Sequence, residues 1–361
     1  MLDDVTSIQF SPPRAASSWK AALSATLAGS LLVLSGCSVS GTPGAPTATT
    51  SSVASDSVHA DDIAVMEEED LKAAMEHIAT DVGEEFGATI SLAIVDDKKD
   101  FLAGDDGSEP AWSTIKVPIA IAALRDGADE ELVDAAIKES DNDAARALWN
   151  KVEWTEGNAQ ESIENLLKDF DSEVEMNDAF GMSTWKVKDQ AQFASQLGCV
   201  PEAEYVFDAM RDIVDWQKWG LAGLEDVHSK GGWGLDDEDG EYTSRQIGVM
   251  PVDDGNLGIA ISASWNTWDD DSEFLDDTDY DAVEDVSAAA LDEVASRLEA
   301  LIAHALETGE LTAVDDCVGT STSETTPEDS KENSSESSPN DETEEPSEEP
   351  SEEPSEAGED D

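Results

Sequence analysis

Positive charge is scarce in this chain. Its 361 residues carry 19 Lys and Arg against 85 Asp and Glu, a formal net charge of −66. Such a surface repels phosphate backbones and anionic headgroups, so nucleic acid is not expected as a partner, and attachment to a membrane needs a force other than charge. Roughly 16 of the net negative charges fall after Cys317, so the rest of the chain is strongly acidic as well. Histidine is nearly as rare. The four, at 59, 77, 228 and 304, have no metal-ligand spacing, and the acidic run WDDDSEFLDD at 268–277 lacks the glycine-centred pattern of a calcium loop. No Walker or dinucleotide glycine motif occurs. Neither a metal nor a cofactor is expected.

Long apolar runs are also missing. Residues 21–34 are too few to span a bilayer comfortably, but after Arg14 and Lys20 they suit the apolar core of an export signal. The run ends in Leu34-Ser35-Gly36-Cys37, which resembles the lipobox of bacterial lipoproteins. The resemblance implies cleavage before Cys37, lipidation of its thiol, and a protein held at the outer side of the cell membrane by acyl chains. An ordinary signal followed by a coincidental cysteine is the alternative. Of only three cysteines, Cys199 and Cys317 then remain; in an oxidising exterior they form either a disulfide or two free thiols.

The ends lack what a core needs. Residues 37–60, rich in Ser, Thr, Pro, Gly and Ala, read as a flexible tether after a signal peptide at 1–36. Residues 318–361, with repeated Glu-Glu-Pro-Ser units and almost no apolar side chains, read as a disordered acidic tail. A single domain is expected over 61–317, with no internal repeat.

Within it the periodicity predicts a helix over 62–82, strands at 88–96 and around Phe101, and a buried helix over 113–125. Several helices follow up to about 217. Strands are expected near 227–233, 243–250 and 257–264, and an amphipathic helix over 281–307. This order is an α+β layout in which a helical block is inserted into an antiparallel sheet.

Three short motifs fall into that layout in order. Ser113 and Lys116, three apart at the start of a buried helix, share a face, so the amine can reach the hydroxyl. Ser140-Asp141-Asn142 lies between two helical runs. Lys230-Gly231-Gly232 sits on a strand and is followed by Trp233. Alone, each has an ordinary reading: a helix cap with an outward lysine, a polar cap, a strand turn. Together, in this order and context, they resemble the penicillin-recognising serine hydrolases, the serine β-lactamases and DD-peptidases.

That resemblance implies a five-stranded antiparallel sheet with terminal helices on one face and an inserted helical subdomain. It makes Ser113 the acylated nucleophile, Lys116 its base, Ser140 a proton relay to the leaving nitrogen, and Lys230 a source of positive potential. Asn142, Gly231, Gly232, Trp233 and Arg245 would contact substrate, with the Ser113 and Trp233 amides as oxyanion donors. The implied substrate is a peptidoglycan-like peptide or amide, handled by a monomer. Three departures bear on this. Only 27 positions separate Ser113 from Ser140, Gly231 stands where the family carries a hydroxyl, and no clear deacylating glutamate follows, although Glu173 and Glu175 lie in about the right stretch. A non-catalytic surface lipoprotein that binds wall fragments or a protein partner is the competing reading.

Overall fold

The computed structural model describes residues 60–67, 69–236, 240–252, 255–267 and 280–314. The signal, the tether, the tail, Cys37, Cys317 and the acidic run at 268–277 lie outside the described residues. Cys199 is disulfide-bonded, and the partner expected for it, Cys317, is among the residues not described.

The expected order of elements is present. Helix α1 (Leu71–Phe86) leads into strands β1 (Thr89–Val95) and β2 (Asp100–Gly104). A 3₁₀ turn at Trp112–Ile115 opens the helical block: α2 (Lys116–Arg125), α3 (Glu130–Lys138), α4 (Asn142–Glu156), α5 (Ala159–Lys168), α6 (Val187–Ser195) and α7 (Glu204–Arg211). Strands β3 (His228–Asp236), β4 (Glu241–Val252) and β5 (Gly255–Asn266) and helix α8 (Tyr280–Thr308) complete it. The five strands form one antiparallel sheet in the order β2-β1-β5-β4-β3. β3 is therefore an edge strand.

Both faces of the sheet are covered, which is why β1 reads as a continuous apolar run rather than an alternating one. Ile90, Leu92 and Ile94 face Leu71, Met75, Ile78, Leu291, Val294 and Leu298 of α1 and α8. On the opposite face Ala93 and Val95 meet Val187 and Ala191 of α6. A larger core holds the helical block together around α2, whose residues 116–123 are all buried.

Two predicted helices differ in detail. The helix expected over 62–82 is two pieces, 60–67 and α1, because Asp70 takes extended backbone and caps α1 by accepting from the Ala73 amide at 2.9 Å. Arg297 of α8, fully buried, bonds to the buried Asp62 and to Asp81, which ties the first piece back to α1 and α8. The helix expected from 113 begins at Lys116. Ser113 is on the 3₁₀ turn before it, where positions three apart eclipse one another.

Candidate active site

The three motifs converge where the edge strand passes the start of α2. Trp112, just before the nucleophile candidate, has φ +51°, a left-handed backbone that costs a non-glycine residue about 1–3 kcal/mol. The kink turns half-buried Ser113 towards β3 while the chain enters the buried helix. β3 comes so close that a Cβ added to Gly232 would sit 2.5 Å from the Ser113 amide nitrogen, and one added to Gly234 would sit 2.6 Å from the Trp112 ring. Only glycine permits this approach.

Lys116 is buried, with its amine turned to the second motif. Nζ donates to the Ser140 carbonyl at 2.6 Å, the Asn142 Oδ1 at 2.7 Å and the Ser140 hydroxyl at 3.3 Å. These bonds hold Ser140 in its left-handed conformation, φ +57°. Asp141 caps α4 by accepting from the Ala144 amide at 2.6 Å. With its Oδ1 taken by Lys116, Asn142 keeps its exposed amide N–H groups for a ligand.

Lys230 enters from the other side, fully buried. Its amine donates to the Ser140 hydroxyl at 3.0 Å, the Gln217 Oε1 at 3.1 Å and the Gly231 carbonyl at 2.7 Å. Ser140 Oγ thus stands between two lysine amines whose other acceptors are neutral. Burial, set against the pull of Asp141, lowers Lys116 to about 7. Burial and then the Lys116 charge push Lys230 well below its ordinary value. Two ammonium groups without a bonded carboxylate repel in a low-dielectric site, so near neutral pH one amine gives up its proton. Burial thus draws both amines toward their neutral forms on either side of one hydroxyl.

Ser113 itself is uncommitted: its hydroxyl makes no hydrogen bond among the described residues, to Lys116 or to anything else. Glu173 and Glu175 are exposed, and neither side chain bonds to Ser113, Lys116 or Ser140.

Solved β-lactamases are similar to this chain. The TLA-1 extended-spectrum β-lactamase shares 14% identity, with 62% of this chain and 99% of that chain covered at a TM-score of 0.46. A class A β-lactamase from Bacteroides cellulosilyticus shares 13%, covering 62% and 98% at 0.46. A β-lactamase from Xanthomonas campestris pv. campestris shares 15%, covering 63% and 98% at 0.45. No family model and no curated protein matches the chain.

One expected substrate contact lies elsewhere. Arg245 is fully buried, and its guanidinium donates to the carbonyls of Glu109 (2.6 Å), Trp185 (2.7 Å), Pro110 (3.1 Å) and Gly107 (3.1 Å). It clamps the loop that delivers Ser113 and is not presented to a ligand. Burial lowers it to about 10, with Glu109 opposing. The Trp233 side chain projects from the face of β3 opposite Lys230 and Gly232, because neighbours on a strand alternate. There it meets Trp216 and Trp219 edge to face, with ring centroids 5.8 and 5.9 Å away. Gly231 is covered on that face by Trp219, whose ring would lie 3.0 Å from an added Cβ. A hydroxyl-bearing side chain at 231 would fit only if the Trp219 ring gave way by a few tenths of an ångström.

Gln217, Trp216 and Trp219 were not singled out by motif. Gln217 gave no signal, because its bond to Lys230 is a tertiary event. Two tryptophans in the polar segment Trp216-Gln217-Lys218-Trp219 were a visible one.

Proposed function

We propose that this protein is an exported, lipid-anchored serine hydrolase of the cell envelope that works by acyl transfer on Ser113. The observation that carries the reading is the pair of buried lysine amines bonded to one Ser140 hydroxyl, one of them, Lys116, only three residues along the chain from an unengaged serine. In the reaction Ser113 Oγ bonds to the acyl carbon and gives its proton to neutral Lys116. The bond to the leaving nitrogen or oxygen breaks as the Ser140 hydroxyl donates to it, and Ser140 is reprotonated from Lys116. Backbone N–H groups of Ser113 and of the β3 edge at Trp233 receive the oxyanion. Water then releases the acid and restores Ser113. Because no carboxylate among the described residues is bonded at Ser113, this second step is slow and the acyl-enzyme accumulates. Export and anchoring rest on Arg14, Lys20, residues 21–34 and Cys37.

The test is intact mass of the purified protein after exposure to a fluorophosphonate and to a penicillin, beside Ser113→Ala. A Ser113-dependent adduct supports acyl transfer, and its decay rate reports deacylation. No adduct with either reagent removes the reading. A second reading, a binding protein without turnover, is favoured by the missing Lys116–Ser113 hydrogen bond. It predicts that Ser113→Ala retains ligand affinity and that the wild type never forms an adduct.

A further inference from the structure

Three buried basic side chains lie at or beneath the site, and all are spent on acceptors of the protein itself. An ammonium has three N–H donors. Lys230 gives its three to the Ser140 hydroxyl at 3.0 Å, the Gln217 Oε1 at 3.1 Å and the Gly231 carbonyl at 2.7 Å. Deprotonated, the amine keeps the same partners, with its lone pair accepting from the Ser140 O–H. Lys116 gives its own donors to Ser140 and Asn142, and the terminal N–H groups of Arg245 go to the carbonyls of Gly107, Glu109, Pro110 and Trp185. Among these acceptors Gln217 is a side chain from outside the three motifs. It ends the 3₁₀ turn Asp215–Gln217 and is fully buried. Its Nε2 donates to the carbonyl of Lys138, two residues before Ser140, at 2.9 Å. That bond fixes which end of the amide faces Lys230, and it ties the amine to the turn that carries the relay hydroxyl.

A glutamine accepts a hydrogen bond without supplying a charge. Lys230 is therefore aimed at Ser140 while none of its bonded partners among the described residues is a carboxylate, and burial pushes it well below its ordinary value. A leaving group that takes its proton from Ser140 brings its substituents up to Lys230, whose amine is 3.0 Å from that hydroxyl. A carboxylate there meets an amine with no N–H to spare, a glycine at 231 with no hydroxyl to offer, and a chain of net charge −66. It loses water and gains no partner. Resting on the acyl-transfer reading above, we propose that Gln217 is a positioning residue that commits Lys230 to Ser140 instead of to substrate, and that the substrate is an ester or amide whose leaving group carries no carboxylate beside the scissile bond. Ser113 takes the acyl group, the C–O or C–N bond breaks, and a neutral alcohol or amine leaves with the proton from Ser140, which Lys116 replaces.

Two esters with the same scissile bond test it: the depsipeptide acetyl-D-alanyl-D-lactate, which carries a carboxylate beside that bond, and its lactamide, which does not. Each rate is taken relative to the ester's own hydroxide-catalysed hydrolysis. The wild type should favour the lactamide at least about tenfold in kcat/KM. Gln217→Ala leaves an N–H of Lys230 free and should cut that preference several-fold, whereas Gln217→Glu keeps the acceptor, adds a negative charge and should widen it. A merely structural role would slow both esters alike in both variants and leave the ratio where it was. Preference of the wild type for the lactate ester, or a ratio that neither variant changes, overturns the proposal. Titration of the Lys230 ε-carbon by NMR in ¹³C-lysine-labelled protein, assigned with Lys230→Arg, is independent of turnover. Gln217→Glu should raise its midpoint by about one pH unit or more. That rise in a chain that turns over neither ester removes the acyl-transfer reading and its substrate class but keeps Gln217 as the group that governs Lys230. An unmoved midpoint overturns the positioning role, whatever the esters do.

Discussion

At the scale of single residues the site depends on what burial does to Lys116. A native value of about 7, against about 10.4 for an exposed lysine, means that most of the amine is neutral slightly above neutrality and can take the Ser113 proton. Acylation by p-nitrophenyl acetate should therefore rise about tenfold per pH unit below 7 and level off above it, and Lys116→Met should be slow and flat. A limb centred above pH 9 would show an ordinary lysine and sink the assignment. The same shift has a stability sign. Between about pH 7 and 10.5 the native chain binds fewer protons at this group than the unfolded chain, so stability rises with pH there, by up to about 1.4 kcal/mol per unit. The melting-temperature difference between wild type and Lys116→Met should accordingly move in favour of the wild type from pH 7 to pH 9.

At the scale of elements, the geometry of the candidate site is set by how closely β3 approaches the turn before α2. A methyl group at Gly232 has nowhere to go but into the Ser113 amide, so Gly232→Ala must push the strand edge and Ser113 apart. Overpacking of this kind costs about 1–3 kcal/mol; the denaturation midpoint should fall accordingly and acylation of Ser113 should slow at least tenfold. Gly223, with no atom within 4 Å of an added Cβ, is the control, and its alanine variant should change both by little. Equal behaviour of the two variants would dismiss the close approach as a determinant. Much of this was legible beforehand. Apolar periodicity gave the five strands and the terminal helices, since those residues face a core, and motif order brought Ser113, Lys116, Ser140, Asn142 and Lys230 together. The parts that were not legible are tertiary. An arginine on a strand looks the same whether it faces solvent or, like Arg245, fills a nest of carbonyls donated by residues 60 and more than 130 positions away. Gln217 is found only by following the Lys230 amine.

At the scale of the whole molecule the ruling quantity is the excess of 85 acidic over 19 basic side chains. The surface ion pairs seen here, such as Lys186–Asp106 at 2.6 Å and Lys188–Asp100 at 3.0 Å, use basic groups that are badly outnumbered, so most carboxylates face other carboxylates through water. Exposed pairs contribute little individually, typically 0–1 kcal/mol, and do not offset the mutual repulsion of the remainder. The interior differs: two lysines and an arginine are buried at or beneath the candidate site, and burial draws both lysines toward neutrality. Salt acts differently on these two zones. Raising ionic strength from 0.01 to 1 M shortens the screening length from about 30 Å to about 3 Å, which suppresses surface repulsion but hardly reaches buried, directly bonded amines. The thermal midpoint should thus climb by several degrees with added NaCl, while the pH midpoint for acylation of Ser113 stays near 7. A melting temperature that falls or stays level with salt would mean that repulsion between surface carboxylates does not limit this fold. An acylation midpoint that tracks the salt would mean instead that the surface field, rather than burial, sets the Lys116 proton affinity.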